Sequence, residues 1–390
     1  MRRCSIGIVL KLILFTILLV GLDAGALVAA AQGRVADAKS QASGRQEGSA
    51  MADLKRRMYV SGHSLTNPRT IELLGRMAGA AGVDLVWNMQ YLEGSSIRQR
   101  REGRLGTAER RPYNNGADRS GQPADVLAEF ASRNGDGRAI DTLLVTEQHA
   151  ILGALVWQDT IGSLRDLHDS FVKSNPGGQS VFFAPWLSLD DRAAPSRWVA
   201  YERAAAPVWS CMVGVVNRSL ERDGRRDRVR SISMGLAMAE LVASAATKGT
   251  AIFEAIGPKS RLKGLLTDDV HLGPIGDYYV AAVLFQYLFP GLQPASITVP
   301  SVSPGLMREL DAFAGRFALE HADSEPAMSA SKCRTYVKAQ FVDTFVSYYT
   351  SVDFKKNQNA FSAAYSKWKM SRNLNKIYRF DNDSNPFSGE

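Results

Sequence analysis

From residue 58 onward, apolar runs of strand length alternate with stretches whose apolar positions recur every three to four residues. The strand-type runs are Met58–Ser61, Val83–Met89, Ile140–Thr146, Ser180–Pro185 and Ala251–Ala255. Helical periodicity covers Arg69–Ala80, Ala124–Ser132, Asp159–Lys173, Trp198–Leu220, Ser233–Lys248 and Ile275–Phe289. Such alternation predicts an α/β fold with a parallel sheet covered by helices on both faces. Loops at the carboxyl ends of the strands are where such a sheet approaches a ligand. After Pro290 the pattern changes: Phe313, Phe317, Phe341, Phe345, Tyr348, Phe361, Tyr365 and Trp368 recur at helical spacing within clusters. Residues 301–375 therefore read as packed helices, a C-terminal helical extension spanning 291–390, with a frayed end at 381–390.

Upstream of the alternation, Arg2, Arg3 and Lys11 flank an apolar run, Leu12–Val20, which leads into small residues ending at Ala29-Ala30-Ala31. This is the pattern of a signal peptide over 1–31, with an uncleaved membrane anchor as the alternative. Residues 32–57 are polar, small and aperiodic, and read as a flexible linker. No other segment reaches the roughly 18 consecutive apolar residues of a membrane span, so the expected location is periplasmic or secreted. Export would permit a disulfide between Cys211 and Cys333, although two buried free thiols fit the sequence as well.

With 390 residues, 45% of them hydrophobic, the chain can bury a sizeable core and is excluded from the disordered and fibrous classes. The net charge of +8 falls to +6 once Arg2, Arg3, Lys11 and Asp23 leave with the signal. That excess favours acidic partners in general and does not by itself call for nucleic acid. Its densest part is the polar stretch 95–137, which carries Arg98, Arg100, Arg101, Arg104, Arg110, Arg111 and Arg119 and is broken by one short helix near Leu127. It is either a solvated insertion or an arginine-bearing lip able to contact carboxylates, with Arg98 and Arg100 as candidate substrate contacts. Trp87, Trp186 and Trp198 are candidates for stacking on sugars or for the core, Trp87 being the one taken as a substrate contact. His149 and His168 have no third ligand at metal-like spacing, so no metal is expected.

Two short blocks carry the chemistry. Gly62-His63-Ser64-Leu65 follows the first strand, where a serine near a helix N-terminus is exposed and free backbone N–H groups can hold an anion. Asp268-Asp269-Val270-His271 precedes the last helix of the array. A carboxylate three residues before a histidine can accept its Nδ1–H while Nε2 faces a nucleophile, and Asp268 fits that spacing better than Asp269.

With these blocks the sequence resembles the SGNH hydrolase superfamily, also called GDSL esterases and lipases, over about residues 58–290. That family carries a Gly-x-Ser-Leu block after the first strand, a glycine after the second, Gly-x-Asn after the third and Asp-x-x-His near the end. Here His63 stands where the family name places Asp, Gly94 answers the second block, and Gln148, after Ile140–Val145, stands where the family has Asn. The resemblance implies a three-layer α/β/α fold with a flavodoxin-like parallel sheet. It also implies a triad of Ser64, Asp268 and His271 and an oxyanion hole of the Ser64 and Gly94 N–H groups with the Gln148 amide. No cofactor is implied. The expected function is an exported serine esterase acting on O-acyl, above all O-acetyl, esters of a carbohydrate or polysaccharide. The alternatives are a polysaccharide O-acetyltransferase with the same triad and a non-catalytic polysaccharide-binding or assembly protein.

Overall fold

The computed structural model describes residues 54–103, 112–133, 135, 137–294, 297–321, 328–352, 359–379 and 385–387. Its first element, β1 (Leu54–Gly62), is followed by α1 (Pro68–Ala80), then β2 (Val83–Tyr91), α2 (Ile97–Arg101) and α3 (Val126–Ala131). Next come β3 (Thr142–Thr146), α4 (Ile151–Trp157), α5 (Thr160–Ser174), β4 (Gln179–Phe183), α6 (Ser196–Arg222) and β5 (Val229–Ile232). Helices α7 (Met234–Ser244), α8 (Ala251–Ile256) and α9 (Pro274–Leu288) complete the α/β part. The five strands are all parallel and ordered β2-β1-β3-β4-β5, the flavodoxin-like arrangement.

Burial explains why these strands read as near-continuous apolar runs. Met58, Val60, Leu143, Leu144, Val145, Val181, Phe182 and Phe183 are each at most 1% exposed, because helices cover both faces of the sheet. Tyr59 packs edge-on against Phe130 of α3, which packs against Phe171 of α5, with centroids 5.4 and 5.3 Å apart. Each such ring pair contributes about 1 kcal/mol beyond its buried area. On the opposite face α1 packs against α9. Right-handed crossovers, required where a parallel strand returns to the same sheet, account for this division.

Four expectations change. Strand β1 begins at Leu54, not Met58, because Arg57 is inside: its guanidinium binds Glu129 Oε1 at 2.7 Å and Ser132 O at 2.9 Å, and its N–H donates to Asp141 Oδ2 at 2.7 Å. Residues 251–255 are helical, since Thr250 caps Phe253 N at 3.0 Å and the Glu309 carboxylate takes Ala251 and Ile252 N–H at 2.9 and 3.1 Å. A five-residue run has no period long enough to separate strand from helix. The fifth strand is instead Val229–Ile232, four residues hidden behind the charged run Arg225–Arg228. Finally, residues 97–101 of the arginine-rich stretch form α2, started by a capping box between Ser96 and Gln99.

The C-terminal part consists of α10 (Pro304–His321), α11 (Ala330–Tyr336), a π-helical segment (Val337–Phe341) running into α12 (Val342–Val352), and α13 (Ala360–Tyr378). It packs on the α/β part within one unit covering residues 53–390. Tyr348 stacks on Tyr201 at 4.5 Å and donates to Ser188 O at 2.9 Å, and Tyr336 donates to Ala204 O at 2.9 Å. Cys211 of α6 and Cys333 of α11 form a disulfide, with Cα atoms 5.9 Å apart. The expected fraying at the end does not extend to Phe387, which is 1% exposed and lies against Tyr378; residues 381–384 and 388–390 lie outside the described residues.

Candidate functional site

Strand order reverses between β1 and β3, and their carboxyl ends open the crevice where such sheets bind ligands. At the end of β1 the chain turns sharply through the 3-10 turn Ser64–Thr66. A Cβ at Gly62 would lie 1.9 Å from Thr66 Oγ1, so only glycine lets the turn close this tightly. His63 is 2% exposed. Its Nδ1 accepts from Leu65 N at 3.3 Å, so Nε2 carries the proton and donates to Glu147 O at 2.9 Å. Burial, with Arg100 nearby, pulls its pKa down to about 3, and the ring stays neutral. His63 N–H is taken by Thr66 Oγ1 at 3.2 Å and Thr66 N–H by His63 O at 2.9 Å. Among the described residues the Ser64 N–H has no such partner, which leaves it available to a ligand. The Gly94 N–H is likewise without a partner; Gly94 is exposed, at φ 62°, a left-handed conformation that suits glycine.

The second half of the site is the loop between Leu266 and Leu272, which pair as an antiparallel bridge. His271 Nδ1 meets Asp268 Oδ2 at 2.7 Å, while Asp268 Oδ1 accepts Val270 and His271 N–H, each at 2.8 Å. Partial burial works to raise the Asp268 pKa, but these hydrogen bonds outweigh it and hold the carboxyl at about 2. Asp269 faces Arg192 at 3.7 Å instead, and its carbonyl accepts Leu189 N–H at 2.7 Å. The loop is held from both sides. Trp186 Nε1 donates to Val270 O at 2.9 Å, Arg192 donates to Leu266 O at 3.2 Å and to Asp268 O, and Arg69 reaches Leu272 O at 3.4 Å.

Asp277, in the first turn of α9, ties the two halves together. It accepts from Asn67 Nδ2 at 3.0 Å and Thr70 Oγ1 at 2.7 Å, and Arg69 lies 3.2 Å away. These partners sit three to six residues beyond Ser64, so the start of α1 and the start of α9 are fastened side by side. Asn67 also caps α1 through Thr70 N at 3.1 Å, ahead of Pro68, worth about 1 kcal/mol. The His271 imidazole lies close enough to disfavour a charge on His63, the neighbour of Ser64.

A buried polar network lies beneath. Arg100 is 1% exposed: it donates to Ser61 Oγ at 3.0 Å, Ser95 O at 3.1 Å, Ser95 Oγ at 2.9 Å and Thr146 O. Arg100 is therefore no part of an exposed lip; it pins the loop after β2 to the ends of β1 and β3. Arg98 is exposed, paired with Glu102 at 2.6 Å. Glu147, overlooked in sequence although it sits in the block after β3, accepts from Gln148 N at 2.6 Å, Thr160 Oγ1 at 2.9 Å and Ile97 N at 3.3 Å. Burial pushes its pKa up to about 7, against the pull of Arg100. Gln148 is half-buried directly after it.

Trp186 and Trp198 are core residues whose indole N–H groups bind Val270 O and Leu187 O. Trp87 is 5% exposed beneath the Arg119 guanidinium, 4.1 Å from the ring centroid, and helps line a cavity of about 500 Å³ with Arg69, Arg76 and Arg119 beside α1. His168 bridges Ser180 and Asp227 inside the fold, each at 2.8 Å. Among the described residues no group of three His, Cys, Asp or Glu side chains is placed to hold a metal ion.

No known family model matches this sequence, and no curated protein matches it. Among solved structures, it is similar to a DUF4886 family protein from Bacteroides uniformis ATCC 8492, at 14% identity and a TM-score of 0.46. That match covers 69% of this chain and 96% of the other.

Proposed function

We propose that the chain is an exported serine esterase of the SGNH type that hydrolyses O-acyl esters of a carbohydrate. The observation that carries this reading is the Asp268–His271 pair, fastened through Asp277 and Arg69 beside the turn that bears Ser64. In the mechanism, His271 Nε2 removes the Ser64 proton as Oγ bonds to the ester carbonyl carbon. The tetrahedral oxyanion is held by the Ser64 and Gly94 N–H groups, with Gln148 as a third donor. Collapse breaks the bond to the sugar oxygen, which leaves with the proton from His271. Water then repeats the sequence on the acyl-serine and releases the carboxylic acid and free Ser64. Asp268 keeps the proton on Nδ1 and stabilises the imidazolium that forms twice per turnover. Export is supported by the Cys211–Cys333 bond, which persists in oxidising compartments.

The test is hydrolysis of a chromogenic acetyl ester and of an acetylated oligosaccharide by the full chain and by Ser64→Ala, alongside labelling with a fluorophosphonate. Hydrolysis and labelling that Ser64→Ala abolishes are the expected result. Acetyl transfer to an added oligosaccharide without hydrolysis would replace the esterase by a transferase. Neither turnover nor labelling would overturn the serine mechanism.

A further inference from the structure

Helix α13 presents an aromatic face to solvent. Phe361 is 84% exposed, Tyr365 55% and Trp368 54%, while most large apolar side chains among the described residues are buried. At 100° per residue these three fall in one row, and Lys369, Arg372 and Lys376 continue the same face toward the C-terminus. From Phe361 to Lys376 the row is about 22 Å long. Tyr365 and Trp368 lie 5.9 Å apart at an interplanar angle of 33°, and the Arg372 guanidinium sits 5.5 Å from the Trp368 ring. The helix carries Lys367, Lys369, Arg372 and Lys376 and not one carboxylate.

We propose that this face binds an anionic polysaccharide strand. Flat, exposed aromatic rings stack on the apolar C–H faces of sugar rings, and the in-line cations pair with carboxylates or sulfates along the same strand. Aromatic rows of this kind are costly to leave in water and mark binding surfaces. The composition of the helix separates a glycan from a lipid surface. A helix lying in a bilayer interface sets Trp, Phe or Leu on one face and its Lys and Arg on the opposite, polar face. In α13 the aliphatic residues Met370, Leu374 and Ile377 pack toward the protein core, and the exposed row interleaves rings and cations on a single face. The inference does not depend on the esterase reading, since none of these residues belongs to the site around Ser64.

The experiment is co-sedimentation of the full chain with a polyuronate gel, a neutral dextran gel and phosphatidylglycerol vesicles. Wild type, Ser64→Ala, the triple variant Phe361→Ala/Tyr365→Ala/Trp368→Ala and the charge reversal Lys369→Glu/Arg372→Glu are compared. The polyuronate should retain wild type and Ser64→Ala equally and dextran much less. Each α13 variant should lose at least tenfold in affinity, and raising the salt should weaken wild type more than the charge reversal. Should the triple variant have a lowered melting temperature, the charge reversal alone decides. Equal polyuronate binding by wild type and the folded α13 variants, or no polyuronate binding, would overturn the proposal. So would vesicle binding that the α13 variants lose in the absence of polysaccharide binding.

Discussion

Gly62 and Asp268 show how much rests on single positions. A methyl group at Gly62 would collide with Thr66 Oγ1, and relieving it means turning that hydroxyl away from the His63 N–H it accepts or shifting the turn that bears Ser64. Misplacement of a nucleophile by an ångström costs on the order of 10²-fold in rate. Gly62→Ala should therefore lower kcat/KM about that much, and Thr66→Ala in the same chain should restore part of it; ester hydrolysis by the single and double variants checks both. Asp268→Asn keeps the shape of the loop but forfeits the charge that fixes the His271 tautomer. Its kcat should fall by roughly 10³ to 10⁴ with KM little changed, as steady-state kinetics would show. An unchanged kcat would remove Asp268 from the mechanism. His63 gives a contrasting expectation: as a neutral, doubly bonded ring, its replacement by Ala should lower the melting temperature without changing the shape of the pH–rate profile.

Between elements, the decisive contacts are few. Asp277 joins α9 to α1, and Cys211–Cys333 joins α6 to α11 across 122 residues. Closing a loop of that length is worth about 5 kcal/mol in the chain-entropy account. Cys211→Ser/Cys333→Ser should lose several kcal/mol in urea unfolding, with the C-terminal helices becoming the first protease-sensitive region. Equal stability of the reduced and oxidised forms would show that α11 holds its place by packing alone. The elements themselves were largely legible in the sequence where burial is two-sided, as in β1, β3 and β4, because continuous apolar runs leave little choice. Residues 251–255 and 229–232 were not. A short run takes its conformation from partners far away, Glu309 in the first case and β4 in the second.

Across the whole molecule, stability should depend on pH through two carboxyls inside the fold. Burial pushes Glu202 up to about 8 and Glu147 up to about 7, each from an ordinary 4.5. In both cases the native state holds the proton more tightly than the unfolded chain. Their favourable contribution is then complete below about pH 4.5 and is lost as pH rises through 7 to 8. The melting temperature should fall over that window. Glu202→Gln keeps an acceptor for Leu187 N–H and should flatten the fall; differential scanning calorimetry from pH 5 to 8.5 checks it. A steeper fall in Glu202→Gln would contradict the assignment.

The sequence by itself determined the layered α/β architecture, the parallel sheet and the two blocks around Ser64 and His271. Periodicity and local spacing are properties of adjacent residues, and they survive without knowledge of the fold. Tertiary structure alone decided that Arg100 lies beneath the site and not on its rim, that Cys211 bonds Cys333, and that α13 turns its rings outward. Each of those depends on which distant groups share a small volume, where burial and partnering set the energy. Chain order does not encode that proximity.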